Sequence, residues 1–202
     1  MRIPIFLGLF IIFIVVIKIK MNKAENIDKN ISKEFWKKEE KSMFARKKSL
    51  ESLDYIYIDS NSLPSLSKEQ CDDDIFIVQE KVLELIQHKI VNLNGQTNTD
   101  LRLQYGTANL DKLILYEDRY NILIKRLYKW AKLLYEKDKI NESIAILELG
   151  VSIKTDISEH YILLAKLYKL KNDTNSFHTL YTKVQNMDFI LKNKVVSTMD
   201  SL

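Results

Sequence analysis

From Ile3 to Ile17 the chain reads IPIFLGLFIIFIVVI, fifteen residues without a charged or polar side chain, bounded by Arg2 on one side and by Lys18 and Lys20 on the other. An apolar run of this kind needs lipid or a protein interior around its whole circumference, and that need restricts the fold more than any other feature. As a helix it covers roughly 22 Å at 1.5 Å per residue, short of the ~30 Å hydrocarbon core, and snorkelling of Lys18 and Lys20 extends the usable length through Ile19. A cleaved signal peptide has an apolar region of similar length, but here KIKMNKAENI follows, with no small-x-small site close behind the run. The segment is therefore expected to be an uncleaved transmembrane anchor over residues 3–20, with export after signal cleavage as the alternative. Lys18, Lys20, Lys23, Lys29, Lys33, Lys37 and Lys38 follow the run closely, whereas only Arg2 and the terminal amine precede it. Lysines near the ends of a span tend to stay on the cytoplasmic side, so the expectation is a single-pass protein of the cell membrane with a cytoplasmic body.

Beyond the anchor the charge is polarised. Residues 18–50 carry eleven Lys/Arg against five acids, a net of +6, whereas residues 51–202 sum to −3. Within this basic stem, placed at 21–52, Ile27, Ile31 and Phe35 recur every four residues and make a narrow apolar stripe on a helix. Such a helix can lie against anionic headgroups, and Lys18, Lys20, Lys23, Phe35 and Trp36 are the expected membrane-surface contacts. A solvated helical spacer is the alternative. Nucleic acid is not an expected partner, because the body is acidic and shows no RNA-binding signature. The linker at 53–66 opens on LDYIYID, which alternates as a short extended segment would, and SNSLPSLS then reads as a loop.

Four glycines and two prolines are too few for an all-β protein built on tight turns, and the single Cys71 excludes an intrachain disulfide framework or a multi-cysteine zinc site. The chain is expected to be all-α. In the N-terminal part of the body, 67–120, Ser67 and Gln70 have the spacing of a capping box, and Ile75, Val78, Val82, Ile86, Ile90 and Leu93 predict an amphipathic helix of about 25 residues. NLNGQTN supplies a turn, and a second helical stretch from Leu101 is expected to be interrupted near Tyr116 to Arg119.

From Asn121 the pattern repeats. At a shift of 34, Ala131 meets Ala165, Lys132 meets Lys166, Leu133 meets Leu167, Leu134 meets Tyr168, Lys137 meets Lys171 and Asp138 meets Asn172. Trp130-Ala131 and Leu164-Ala165 are large-small pairs of the kind found where two helices approach closely. This period with these offsets resembles the tetratricopeptide repeat, in which two antiparallel helices per unit stack on their neighbours. In the second helices Ser143 and Gly150 are small, whereas their equivalents Phe177 and Val184 are not, and neither repeat ends in the customary proline. The layout as a whole also resembles membrane-anchored repeat proteins of low-GC Gram-positive bacteria. Two repeats plus a capping helix are expected over 121–202, with Asp188 as N-cap of a closing helix that covers the array's end.

The resemblance implies protein binding rather than catalysis: a membrane-tethered scaffold or adaptor that receives a partner protein or peptide. Asn121, Lys125, Lys129, Lys132, Glu159, Leu163 and Lys166, on the first helices and away from the large-small positions, are the expected partner contacts. A less favoured reading is an enzyme using the Cys71–Asp74 region, in which Asp72 to Asp74 act with Cys71 or His88. His88, His160 and His178 lack partners at the spacing that puts two ligands on one helical face, so each is expected on the surface or partly buried, and no metal or cofactor is expected. Asp72, Asp73 and Asp74 fan out over different faces and are expected to be a first-turn anion set at a helix N-terminus.

Overall fold

The computed structural model describes residues 3–187 and 189–202, with side chains for all of these save 3–6, 26 and 27. Arg2, the upstream flank of the apolar run, and Asp188, the expected cap of the closing helix, lie outside the described residues, as does the side chain of Ile27. Among the described residues the chain is all-helical, with eight α-helices and no β-strand beyond one isolated bridge. They form two compact units, one from the residues up to Leu50 together with Gly95–Asp111, the other from Glu51–Asn94 and Lys112–Leu202.

The first unit is built on α1 (Ile3–Met43), one unbroken helix of 41 residues. Anchor and stem, expected as separate segments, are continuous because no glycine or proline occurs between Gly8 and Met43 to interrupt the hydrogen-bond ladder. The helix stops well before residue 52, and 44–49 are irregular. Among the described residues no helix is long and apolar enough to cross a membrane. The span expected over 3–20 contributes described side chains only from Leu7 onward, and three lysines follow by Lys23.

The last turns of α1 pack against α3 (Asn98–Tyr105), whose start is a capping box: the Asp100 backbone N–H donates to the Thr97 hydroxyl at 3.2 Å, and Thr97 N–H donates to the Asp100 carboxylate at 3.1 Å. Gly106 ends α3 at φ 91°, and a Cβ there would lie 2.4 Å from the Arg46 carbonyl oxygen, so backbone meets backbone where no side chain fits. This is the interruption in the second helical stretch. It falls at Gly106, not at Tyr116 to Arg119, where α4 (Leu110–Glu136) runs straight through.

In the second unit α2 (Asp73–Leu85) has 13 residues, about half the length expected from the apolar spacing. Ser67 and Gln70 do pair, the Ser67 N–H donating to Gln70 Oε1 at 3.2 Å, but they close an isolated turn, and the helix begins after Asp72. Ile90, Val91 and Leu93 are buried in irregular chain, where Val91 bridges to Tyr55 and Ile56 N–H donates to Ile90 O at 2.9 Å. Buried apolar side chains had made that stretch look helical, whereas the LDYIYID segment provides its backbone partner. Gln79, 2% exposed, bonds Leu66 N–H and C=O with its own amide, both at 3.0 Å, and so seats the preceding loop on α2.

The remaining helices are α5 (Ile140–Ser152), α6 (Ser158–Leu170), α7 (Thr174–Asn186) and α8 (Lys192–Asp200). The turns that close α4 and α6 are built alike, 34 residues apart. Asp138 and Asn172 hold φ of 58° and 57°. Lys139 N–H donates to Leu134 O and Asp173 N–H to Tyr168 O, both at 2.9 Å, while Asp138 N–H reaches Tyr135 O and Asn172 N–H reaches Lys169 O, both at 3.0 Å. Each is a Schellman ending, for which short polar Asp and Asn tolerate the left-handed position. Trp130, Ala131, Leu134, Leu164, Ala165 and Tyr168 lie in one core with Leu147, Phe177 and Val184. Helix α8 packs on α6 and α7 and buries Val195 and Met199.

Candidate interaction surfaces

Helices α4 and α6 meet at His160. This residue is fully buried, not on the surface or half-buried as its lone position suggested, because Gly150 leaves the ring its space. Its Nε2–H donates to the Ile124 carbonyl at 2.9 Å, which fixes the tautomer and leaves Nδ1 without a partner. Burial holds the imidazole below its ordinary value of 6.5, opposed by the hydrogen bond to Ile124 and by the carboxylates of Glu159 and Asp156. Tyr128 lies against the ring at 5.5 Å between centroids, and burial raises its phenol, with Glu159 and Glu136 adding to the shift.

Around this contact the outer faces of α4 and α6 carry most of the expected partner residues. Lys125, Lys129, Lys132, Glu159 and Lys166 are exposed, and Asn121 and Leu163 are half-buried. Lys125, Lys129 and Lys132 recur at three and four residues and form a basic ridge on α4, on a chain segment whose net charge is negative. Lys132 pairs with Glu136 of its own helix at 3.8 Å. Tyr128 and His160 are the site residues that sequence reasoning missed: a tyrosine at core spacing and a lone histidine carry no signal until the helix pairing is known.

The first unit offers a different surface. Glu39, half-buried on α1, accepts from the Thr99 hydroxyl and the Arg102 guanidinium, and the Thr99 bond followed by that of Arg102 holds its carboxyl below the usual range. Lys38 pairs with Asp100 at 2.6 Å and holds that carboxyl well down. The Thr107 hydroxyl donates to the carbonyls of Ser42 and Met43 at 2.9 and 3.1 Å, and Asn109 Nδ2 donates to Lys48 O and Tyr105 O at 2.8 and 2.7 Å. The end of α1 is thus fixed by polar bonds to α3 and the turn after it, beside a helix that buries Leu101. Outside this clamp the surface is apolar and mainly basic: Trp36 is 64% and Phe44 81% exposed, and a groove beside Phe44 and Leu103 is lined by Lys37, Lys41 and Arg46 against one acid, Glu40. The side chains from Leu7 to Ile17 are all exposed, on every side of α1. Lys18, Lys20 and Lys23 are exposed just beyond them, and Phe35 is exposed one turn before Glu39.

The Cys71–Asp74 region does not assemble with His88. Asp72 pairs with Lys137 at 2.5 Å, Asp73 faces Lys68 at 3.7 Å, and the Cys71 thiol donates to Ser67 O at 3.4 Å. His88 is exposed beyond the far end of α2, roughly 20 Å away along the helix axis. Asp73 and Asp74 occupy the first turn of α2, where the helix dipole favours them. Among the described residues no three His, Cys, Asp or Glu side chains come together to hold a metal ion.

No family model matches the chain, and comparison with curated proteins and with solved structures found no match.

Proposed function

We propose that the protein is a membrane-tethered helical-repeat scaffold of the tetratricopeptide kind, inserted by the apolar start of α1 and receiving a partner protein or peptide on the α4–α6 face. The observation that carries this reading is the pair of helix endings at Asp138 and Asn172, alike in hydrogen bonding and 34 residues apart, each closing a helix that another helix follows. Repeating helix pairs with a solvent-facing first helix are built to present an extended binding surface. The apolar residues from Leu7 to Ile17 support insertion, since the other described residues of the chain leave them exposed. The lysine asymmetry around that segment favours a cytoplasmic body.

Site-directed photo-crosslinking in the cell that makes the protein tests partner binding. A photoreactive residue at Lys129 gives a discrete adduct, whereas one at the exposed His178 of α7 gives none. Equal labelling from both positions, or none from Lys129, contradicts the reading.

A further inference from the structure

Helix α1 does not break where the apolar segment ends. It runs from Ile3 to Met43 without a glycine or proline after Gly8, and its last turns are held by the Glu39 bonds to Thr99 and Arg102, the Lys38–Asp100 pair and the Thr107 bonds to Ser42 and Met43. Its early part, Leu7 to Ile17, is apolar on every side, so a helix lying flat on a bilayer would leave one side of that segment in water. From Lys23 to Trp36 the axis advances about 20 Å at 1.5 Å per residue, and about 15 Å of that remains normal to the bilayer at a tilt of roughly 40°. Upright, this distance exceeds two Debye lengths of about 8 Å, and tilted it is close to two, so anionic headgroups exert little attraction on Lys37 and Lys38 beyond Trp36.

We infer that α1 is a stalk: lipid contact ends at a collar of Lys18, Lys20 and Lys23, and Phe35, Trp36 and the basic groove beside Phe44 stand in water at a fixed height above the headgroups. The inference rests on insertion of the apolar start of α1. It removes Phe35 and Trp36 from the membrane-surface contacts that the amphipathic stripe suggested. Their exposed rings, 5.4 Å apart edge to face, are then accessible to protein and not to lipid.

The test uses the full chain in vesicles of phosphatidylcholine and phosphatidylglycerol. In a Cys71→Ser background, nitroxides are placed singly through Ile12→Cys, Lys23→Cys and Trp36→Cys, and depth is read from collision with oxygen against a water-soluble nickel chelate. The stalk predicts an immersed label at 12, a headgroup-level label at 23 and a fully aqueous label at 36. A label at 36 as deep as that at 23 overturns it in favour of a helix lying along the surface. An aqueous label at 12 overturns insertion itself, and the stalk with it. A Trp130→Phe chain, in which Trp36 is the one tryptophan, gives a second reading: brominated lipids leave its fluorescence unquenched if the stalk is right, and quench it if the helix lies flat.

Discussion

Gly150 and His160 claim the same space: a Cβ at 150 would stand 2.3 Å from Nδ1 and 2.5 Å from Cε1 of the buried imidazole. The ring in turn bonds the Ile124 carbonyl of α4, so one missing methyl group lets α4, α5 and α6 come together.

Gly150→Ala therefore destabilises the protein, although alanine is the better helix former by about 1 kcal/mol. Overpacking of a closed core costs about 1–3 kcal/mol, a fall in melting temperature of roughly 2–4 °C for each kcal/mol at this chain length. Adding His160→Ala removes the clash, so the double variant loses less than the two single losses together. A Gly150→Ala chain that melts higher than the parent contradicts this packing.

The buried imidazole also sets a pH dependence. Its folded value lies below 6.5, mainly through burial, so the unfolded chain binds the proton more tightly. Stability from this group is present above the unfolded value and is lost as pH falls below it toward the folded value, at no more than about 1.4 kcal/mol per pH unit. Chemical unfolding followed from about pH 7.5 to about pH 5.5 shows the loss, and His160→Gln, which keeps a donor for Ile124 O, reduces it. An unchanged acid limb in that variant places the titration elsewhere.

Asn109 is buried and ties Lys48 O to Tyr105 O, so Asn109→Ala takes the side-chain donor from Lys48 O, while Tyr105 O keeps the Lys48 N–H at 2.9 Å. The expected cost is about 1–3 kcal/mol, confined to the first unit. Hydrogen exchange read by mass spectrometry shows faster exchange in peptides covering 45–50 and 98–109, with those covering α6 and α7 unchanged.

Lys125→Glu and Lys129→Glu reverse charge on exposed positions that have no carboxylate partner among the described residues, so stability stays within about 0.5 kcal/mol of the parent. Adducts formed from a photoreactive residue at Lys132 decline in both variants. Undiminished adducts place the partner on another face.

Much of the helical architecture follows from residue patterns that act locally. The 34-residue spacing of Leu134 and Tyr168, and of Asp138 and Asn172, is legible because both endings place a large apolar residue four positions before a short polar one at positive φ, whereas the like ending of α5, with Lys154 at φ 61°, carries no such signal. What was not legible depends on partners distant in sequence. Ile90, Val91 and Leu93 have helical spacing, yet their backbone bonds and burial come from Tyr55, Ile56 and Tyr116. Gly106 breaks the second stretch because the Arg46 carbonyl lies against it, which no local pattern near 106 announces. His160 looked like a surface residue because its space is made by Gly150. The clamp on Glu39 escaped notice for the same reason: Thr99 and Arg102 lie sixty residues away.

The central claim, a folded helical body tethered to a membrane by α1, is tested most directly on membranes from cells that make the full chain with a C-terminal tag. The account predicts that the tagged chain stays with the membrane through an alkaline carbonate wash, and that in intact protoplasts the full-length tag survives external protease until the membrane is opened. A chain released by the wash contradicts the tether, and a tag digested in intact protoplasts, or found shortened in the medium, contradicts a cytoplasmic body.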